Sequence, residues 1–145
     1  MELDDFTHER IEALSELGNA SVNAGDYAEA ISRFEEALSL LPEPIAEWEA
    51  ATWLLTAIGE AHFFSKQYLV AYQALARAMH CAGAIGNPFI HLRLGQVQFE
   101  LENEGLAADE LTRAYMGGGK EIFAREGSKY FEFLKTRVDE PPNGW

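Results

Sequence analysis

The stretch IEALSELGNASVNAGDYAEAISRFEEALSLLPEP, residues 11–44, decides the fold of this chain. It places a glycine at Gly18, small residues at Ala30 and Ala37, and the large apolar Phe34 between the two alanines. The same spacing returns twice further along, as Gly59, Ala71, Leu75 and Ala78 and then as Gly95, Ala107, Leu111 and Ala114. Three copies that agree at four positions predict an internal repeat.

Each copy has the pattern of two packed helices. Ile31, Phe34 and Leu38 recur at intervals of three and four residues, which places them on one apolar face of a helix. Small residues such as Gly18 let a second helix approach closely. A single hairpin cannot bury such a face alone, so neighbouring copies must stack. The sequence therefore predicts an all-α solenoid of helical hairpins.

The pattern resembles the tetratricopeptide repeat, a helix–turn–helix unit of about 34 residues. The first copy agrees best, through Leu14, Leu17, Gly18, the turn Gly25-Asp26-Tyr27, Ala30, Phe34, Ala37 and Pro42. In the second copy Tyr68 holds the turn position and Ser65-Lys66 replaces the glycine, whereas the third copy lacks the tyrosine.

The resemblance implies one domain over residues 1–145, with three repeats and a C-terminal capping helix. The repeats are expected at about 11–44, 52–85 and 88–121, the capping helix at about 120–138 and a tail at 139–145. The seven extra residues at about 45–51 are expected to extend the first helix of the second copy. Gly117-Gly118-Gly119 should end the helix before the cap. Trp145 is left either folded back on the cap or free.

Charge is concentrated in the first third of the chain. The formal net charge is −13, and residues 1–50 hold thirteen acidic but only two basic side chains. Such a field disfavours nucleic acid and anionic membranes and favours a basic protein partner, although solubility alone is the competing interpretation. The N-terminal sequence lacks the features of a signal peptide, no apolar run approaches a membrane span, and Cys81 is the lone cysteine. A cytoplasmic location is expected.

No catalytic or metal-binding constellation is visible. His8, His62, His80 and His91 lie apart and show no spacing of a helical metal site. The chain also lacks a Gly-rich phosphate loop in a strand–helix context and a Gly-x-Ser-x-Gly turn. We therefore expect no enzymatic activity, no cofactor and no metal.

The resemblance implies a partner-binding groove formed by the first helix of each repeat. The positions it assigns to that groove include Glu12, Glu16, Asn19, Asn23, Trp53, Glu60, Phe63, Phe64, Phe89, Arg93, Gln96 and Glu100. Aromatic residues are typical interface anchors, and carboxylates favour basic partners. The hypothesis is a groove that receives an apolar or basic segment of another protein. The alternative is that Trp53, Phe63 and Phe99 pack between helices.

One known binding mode of the family, a polar clamp for the C-terminal carboxylate of a chaperone, is disfavoured. The five clamp positions correspond here to Ser15, Asn19, Ala57, Phe89 and Arg93, of which only Asn19 and Arg93 agree with the clamp. Acidic residues nearby would repel a peptide carboxylate.

Several functions fit a non-enzymatic binding protein. Residues 48–59 and 86–95 look like those of small stand-alone bacterial repeat proteins, some of which are immunity proteins that block a toxin. A secretion or assembly chaperone is the runner-up. Self-association into a homodimer, through Trp48, Trp53 or the tail, is a third possibility.

Overall fold

The computed structural model describes residues 2–145, and within that range every regular element is helical. The seven α-helices are α1 (Asp5–Asn23), α2 (Tyr27–Ser39), α3 (Glu49–Phe64), α4 (Tyr68–Ala78), α5 (Pro88–Glu100), α6 (Glu104–Gly118) and α7 (Ser128–Arg137). Short 3-10 helices occupy Ile45–Glu47 and Lys120–Phe123. The chain forms two compact units, one ending at Ile85 and the other beginning at Gly86. The expected all-α fold of three hairpins and a capping helix is confirmed.

The starts of three helices follow from short polar side chains in the sequence. The Asp4 carboxylate accepts the Thr7 backbone N–H at 2.8 Å, and Asp26 accepts that of Glu29 at 3.1 Å. Asn87 does the same for Phe89 at 2.9 Å, and Pro88 follows as the first residue of α5. Such caps satisfy backbone donors that the helix cannot pair, and each contributes about 1 kcal/mol. Asn87-Pro88 thus begins the third hairpin.

The three hairpin turns share a residue with positive φ at equivalent positions. These residues are Gly25 (φ 76°), Lys66 (φ 62°) and Glu102 (φ 65°). The first hairpin uses glycine, which tolerates this conformation, while the other two place side chains there at a steric cost. Gly105, the next glycine along the chain, lies in the first turn of α6 and does not occupy the third turn. Each of the three positive-φ residues donates its backbone N–H to the carbonyl three residues earlier, at 2.9–3.0 Å, so the same type of turn closes all three hairpins.

Each hairpin closes through a glycine that faces a large apolar side chain. A Cβ atom on Gly59 would lie 2.6 Å from Leu75 Cγ, and one on Gly95 would lie 2.6 Å from Leu111 Cγ. At Gly18 a Cβ would overlap the ring of Phe34. The large partner is fully buried in all three hairpins. The repeated spacing in the sequence is thus a repeated contact between the two helices of each hairpin.

The segment between the first two hairpins differs from the expected helical extension over residues 45–51. Residues Ile45–Glu47 form a 3-10 helix, Trp48 is extended, and α3 begins at Glu49. The cause is the Trp48 side chain, which is buried and donates its indole N–H to the Pro42 carbonyl at 2.8 Å. Only the last three residues of the predicted extension therefore belong to α3.

The cap also differs from the single helix expected over residues 120–138. Gly119, with φ 68°, ends α6 as predicted, but a 3-10 helix follows, and α7 begins only at Ser128. The two pieces remain packed together because the rings of Phe123 and Phe131 stack at 5.0 Å. The tail folds back on this cap, since the Trp145 ring lies 5.7 Å from that of Phe131.

Replacing Gly59 with alanine should destabilise the protein by about 1–3 kcal/mol, because the added methyl overlaps Leu75. The gain of roughly 1 kcal/mol that alanine normally provides in a helix offsets part of this cost, so the net loss lies towards the lower end of the range. The matched control is Gly105→Ala in α6, where a Cβ meets open space and stability should stay equal or rise. Urea unfolding followed by circular dichroism measures both. Equal stability of the two variants would contradict the contact.

Candidate functional site

Helices α1 and α3 of the N-terminal unit form the walls of an open groove. Its larger cavity, about 380 Å³, is lined by Leu3, His8, Ile11, Glu12, Ser15, Glu16, Asn19, Ala50, Trp53 and Leu54. A smaller cavity of about 140 Å³ is lined by Asn19, Val22, Phe34, Trp53, Thr56, Ala57, Glu60, Ala61 and Phe64. Because Asn19 and Trp53 line both cavities, they form one continuous surface, the α1–α3 groove.

Two aromatic rings in the groove are half-exposed yet held in place. Trp53 is 46% exposed, and its ring packs edge-on against the buried Phe34 at 5.7 Å. Phe64 is 44% exposed, and its ring lies 5.9 Å from that of Tyr27. Each ring therefore offers apolar surface to a ligand without having to be ordered first, which lowers the entropic cost of binding.

The groove carries negative charge. Glu12, Glu16 and Glu60 line it, and His8 lies 3.0 Å from Glu12. Neither cavity has a lysine or arginine among its described lining residues. The one arginine of α1, Arg10, turns towards α2 and pairs with Glu36 at 2.9 Å. The groove therefore attracts cations and repels anions.

Half of the residues predicted for a groove meet here. The α1–α3 groove contains Glu12, Glu16, Asn19, Trp53, Glu60 and Phe64. Asn23 is exposed but lines neither cavity, and Phe63 is half-buried, with its ring 5.8 Å from that of Tyr68. Of the side chains considered for packing between helices, Phe63 is packed, and Trp53 is packed on one side and open on the other.

In the C-terminal unit the cap covers most of the predicted groove residues. Arg93 is 8% exposed, and its guanidinium donates to Glu126 at 2.8 Å and to Gln96 at 2.7 Å. The Gln96 amide also donates to Glu126, at 2.7 Å, and is itself fully buried. The side chains of Arg93 and Gln96 are therefore occupied within the chain.

The remaining predicted residues of α5 divide between the cap and the surface. Glu100 accepts the Tyr130 hydroxyl at 2.9 Å and pairs with Lys129. Phe99 packs against Tyr130 at 5.5 Å, as the packing interpretation expected for it. Phe89, 67% exposed, is the one predicted α5 residue with a large open surface.

Three residues that line the groove lie outside the repeat copies and were not predicted. Leu3 and His8 precede the first copy, and Ala50 lies in the segment between copies. The repeat assigns no groove positions outside its own length, so these residues had no template. A signal for the early start of α1 was present, however, because Asp4 stands three residues before Thr7 in the spacing of an N-cap.

A separate cavity, about 310 Å³, lies outside the groove and is lined by side chains of α2, α3 and α4. Its lining includes Glu35, His62 and Arg77 beside apolar side chains. The Nδ1 atom of His62 is buried and has no hydrogen-bond partner among the described residues. Burial lowers the pKa of this imidazole, while the Glu35 charge and the Gln67 side chain oppose the shift.

Among residues 2–145 no cluster of three metal-ligating side chains exists, and no helix in that range is long and apolar enough to cross a membrane.

Comparison with known proteins supports the assignment of the first hairpin as a repeat unit. Residues 11–44 match the family model described as tetratricopeptide repeat. The chain therefore contains a tetratricopeptide repeat within a tetratricopeptide-repeat fold. No curated protein sequence matches the chain.

Solved structures with the same fold cover nearly all of the chain. The tetratricopeptide-repeat domain of Arabidopsis OM64 has 20% identity and a TM-score of 0.73, over 91% of this chain and 99% of that one. The first such domain of Spaghetti (RPAP3), bound to the HSP90 peptide SRMEEVD, has 20% identity and a TM-score of 0.68, over 88% and 92%. The Sgt2 domain from Aspergillus fumigatus has 23% identity and a TM-score of 0.60, over 91% and 85%.

Replacing Glu126 with alanine should destabilise the protein by about 2–3 kcal/mol, because it removes the carboxylate that holds the buried Arg93 and Gln96. The control is Glu132→Ala on α7, whose exposed pair with Lys135 contributes less than about 1 kcal/mol. Urea unfolding followed by circular dichroism compares the two. A Glu126 variant as stable as the control would contradict the buried network.

The depressed pKa of His62 predicts a pH effect with a definite sign. As pH falls through the ordinary histidine range, the unfolded chain takes up the proton before the folded chain does, so the folded state loses stability. Wild type should therefore lose more stability than His62→Gln between about pH 7.5 and pH 5. Urea unfolding of both proteins across this range measures the difference. Parallel stability curves would contradict the assignment.

Proposed function

We propose that this chain is a non-enzymatic protein-interaction module whose α1–α3 groove receives an apolar or basic segment of a partner protein. The observation that carries the proposal is the continuous groove itself, in which the half-exposed rings of Trp53 and Phe64 lie beside carboxylates, with no lysine or arginine among the described lining residues. Pre-ordered aromatic rings are frequent anchors of protein interfaces. The carboxylates add orientation and speed the approach of a basic partner.

The charge of the groove separates this proposal from the binding described for two similar domains. The RPAP3 domains are bound to HSP90 and HSP70 peptides that end in Glu-Glu-Val-Asp. Here Glu12 and Glu16 would repel such an acidic tail, and Arg93, one of the two clamp positions that agree, already pairs with Glu126. These facts favour a partner of the opposite charge.

The finer alternatives differ in the state of the partner. An immunity-type inhibitor, as in small stand-alone bacterial repeat proteins, should require its toxin folded, whereas a secretion or assembly chaperone should bind a short linear segment. Self-association through Trp48 or the tail has less support, because the Trp48 indole is bonded to Pro42 and Trp145 packs on the cap. Capture of a basic partner, followed by binding assays with the folded partner and with its peptides, separates these possibilities.

Asn19→Arg should abolish capture of the partner. Asn19 lines both cavities, so a long cationic side chain there obstructs the groove and repels a basic segment. The control is Ala20→Arg, which adds the same charge at the neighbouring exposed position outside the groove. Tagged variants expressed in the native cells, captured at moderate salt and analysed by quantitative mass spectrometry, give the comparison. Equal recovery of one stoichiometric partner by both variants would refute the groove assignment.

A further inference from the structure

The larger cavity of the α1–α3 groove is built partly by residues outside the repeat pattern. Helix α1 begins at Asp5, before the first copy, and supplies His8 to the cavity wall, while Leu3 reaches the wall from just before the helix. The extra residues between the first two copies supply Ala50, in the first turn of α3. Two separate departures from the repeat therefore meet in one cavity.

The cavity has an apolar floor and an acidic rim. Ile11 and Leu54 are buried beneath it, and Leu3 and Ala50 are half-buried at its side. The rim carries Glu12 and Glu16. Glu12 is paired with His8, whereas the Glu16 side chain makes no ion pair or hydrogen bond with any residue from 2 to 145. An exposed carboxylate beside an apolar surface can pair with a cationic side chain of a ligand when an apolar side chain of the same ligand lies on that surface.

The groove offers little to pair with the backbone of a bound peptide. Its walls are helices, whose backbone groups are paired internally, and the hydroxyls of Ser15 and Thr56 already donate to carbonyls of their own helices at 2.8 and 2.7 Å. Of the uncharged polar side chains that line the described groove, this leaves the Asn19 amide to pair with a peptide backbone. An extended peptide bound here would therefore leave most of its own N–H and C=O groups without protein partners, which is costly. A helical segment satisfies them itself and presents only side chains to the groove.

We propose that this cavity, which we call the N-terminal subsite, binds an apolar side chain of an amphipathic partner helix, with a lysine or arginine one turn away reaching Glu16. The inference rests on the proposed function and adds the secondary structure and charge of the partner segment. It assigns Leu3, Ala50 and Glu16 as residues that determine specificity.

The test uses a defined probe, the amphipathic peptide Ac-LKKLLKLLKKLLKL-NH2, and the same peptide with every lysine replaced by glutamate. Binding to the full chain is followed by NMR at 0.15 M salt. The quantities measured are the chemical shifts of the Trp53 indole N–H and of the backbone amides of Thr56 and Phe64. Ala50→Gln fills the subsite, and Glu16→Lys reverses its charge. Glu9→Lys makes the same charge change at an exposed position of α1 outside the groove. Thermal unfolding confirms that each variant is folded.

The lysine peptide should shift the Trp53 signal, and the glutamate peptide should not. Ala50→Gln and Glu16→Lys should each raise Kd by about tenfold, whereas Glu9→Lys should change it by less than about twofold. Equal weakening by Glu9→Lys and Glu16→Lys, or no effect of Ala50→Gln, would overturn the subsite but leave groove binding intact if Thr56 and Phe64 still shift. No shift at Trp53, Thr56 or Phe64 would count against the groove and the subsite together. Equal binding of the glutamate peptide would overturn the charge assignment.

Discussion

The hairpins depend on the contact between a glycine of the first helix and a large apolar side chain of the second. At Gly18, Gly59 and Gly95 the missing Cβ leaves the space that Phe34, Leu75 and Leu111 fill. Because the helices approach so closely, small residues flank the contact on the second helix, where Ala30 and Ala37 and their counterparts are fully buried. One steric requirement thus accounts for the spacing of four positions in every copy.

The same packing determines which side chains of α3 remain available. Leu54, Leu55 and Ile58 are buried in the core of the N-terminal unit, which leaves Trp53, Thr56, Glu60 and Phe64 on the side that faces the groove. Trp53 connects the two regions, because its ring rests on Phe34, the residue that closes the first hairpin. The aromatic surface of the groove is therefore positioned by the core and does not depend on a loop.

The fold could be predicted from the sequence where its causes are local and periodic. It could not be predicted where a structure depends on contacts between residues that show no repeated pattern. Each hairpin follows from a pattern of small and large residues that spans about 20 positions. The dipeptide Asn87-Pro88 marks a helix start on its own. Trp48 lies in the segment that was predicted to extend α3, but its hydrogen bond to Pro42 holds it in an extended conformation. The break before α7 and the pairing of Glu126 with Arg93, which is 33 residues away, have no signature in local sequence.

The same distinction explains why half of the predicted groove residues lie in the groove. Assignment by repeat position brings most of the predicted α1 and α3 residues to one surface, although Asn23 and Phe63 line neither cavity. It is insufficient in α5, where the cap places Glu126 and Tyr130 on Arg93, Gln96 and Glu100.

Position in the repeat also gives no information about Leu3, His8 and Ala50, because these residues lie outside the repeat copies. The repeat therefore determines where a groove can form. Residues that depart from the repeat contribute to the wall of its larger cavity.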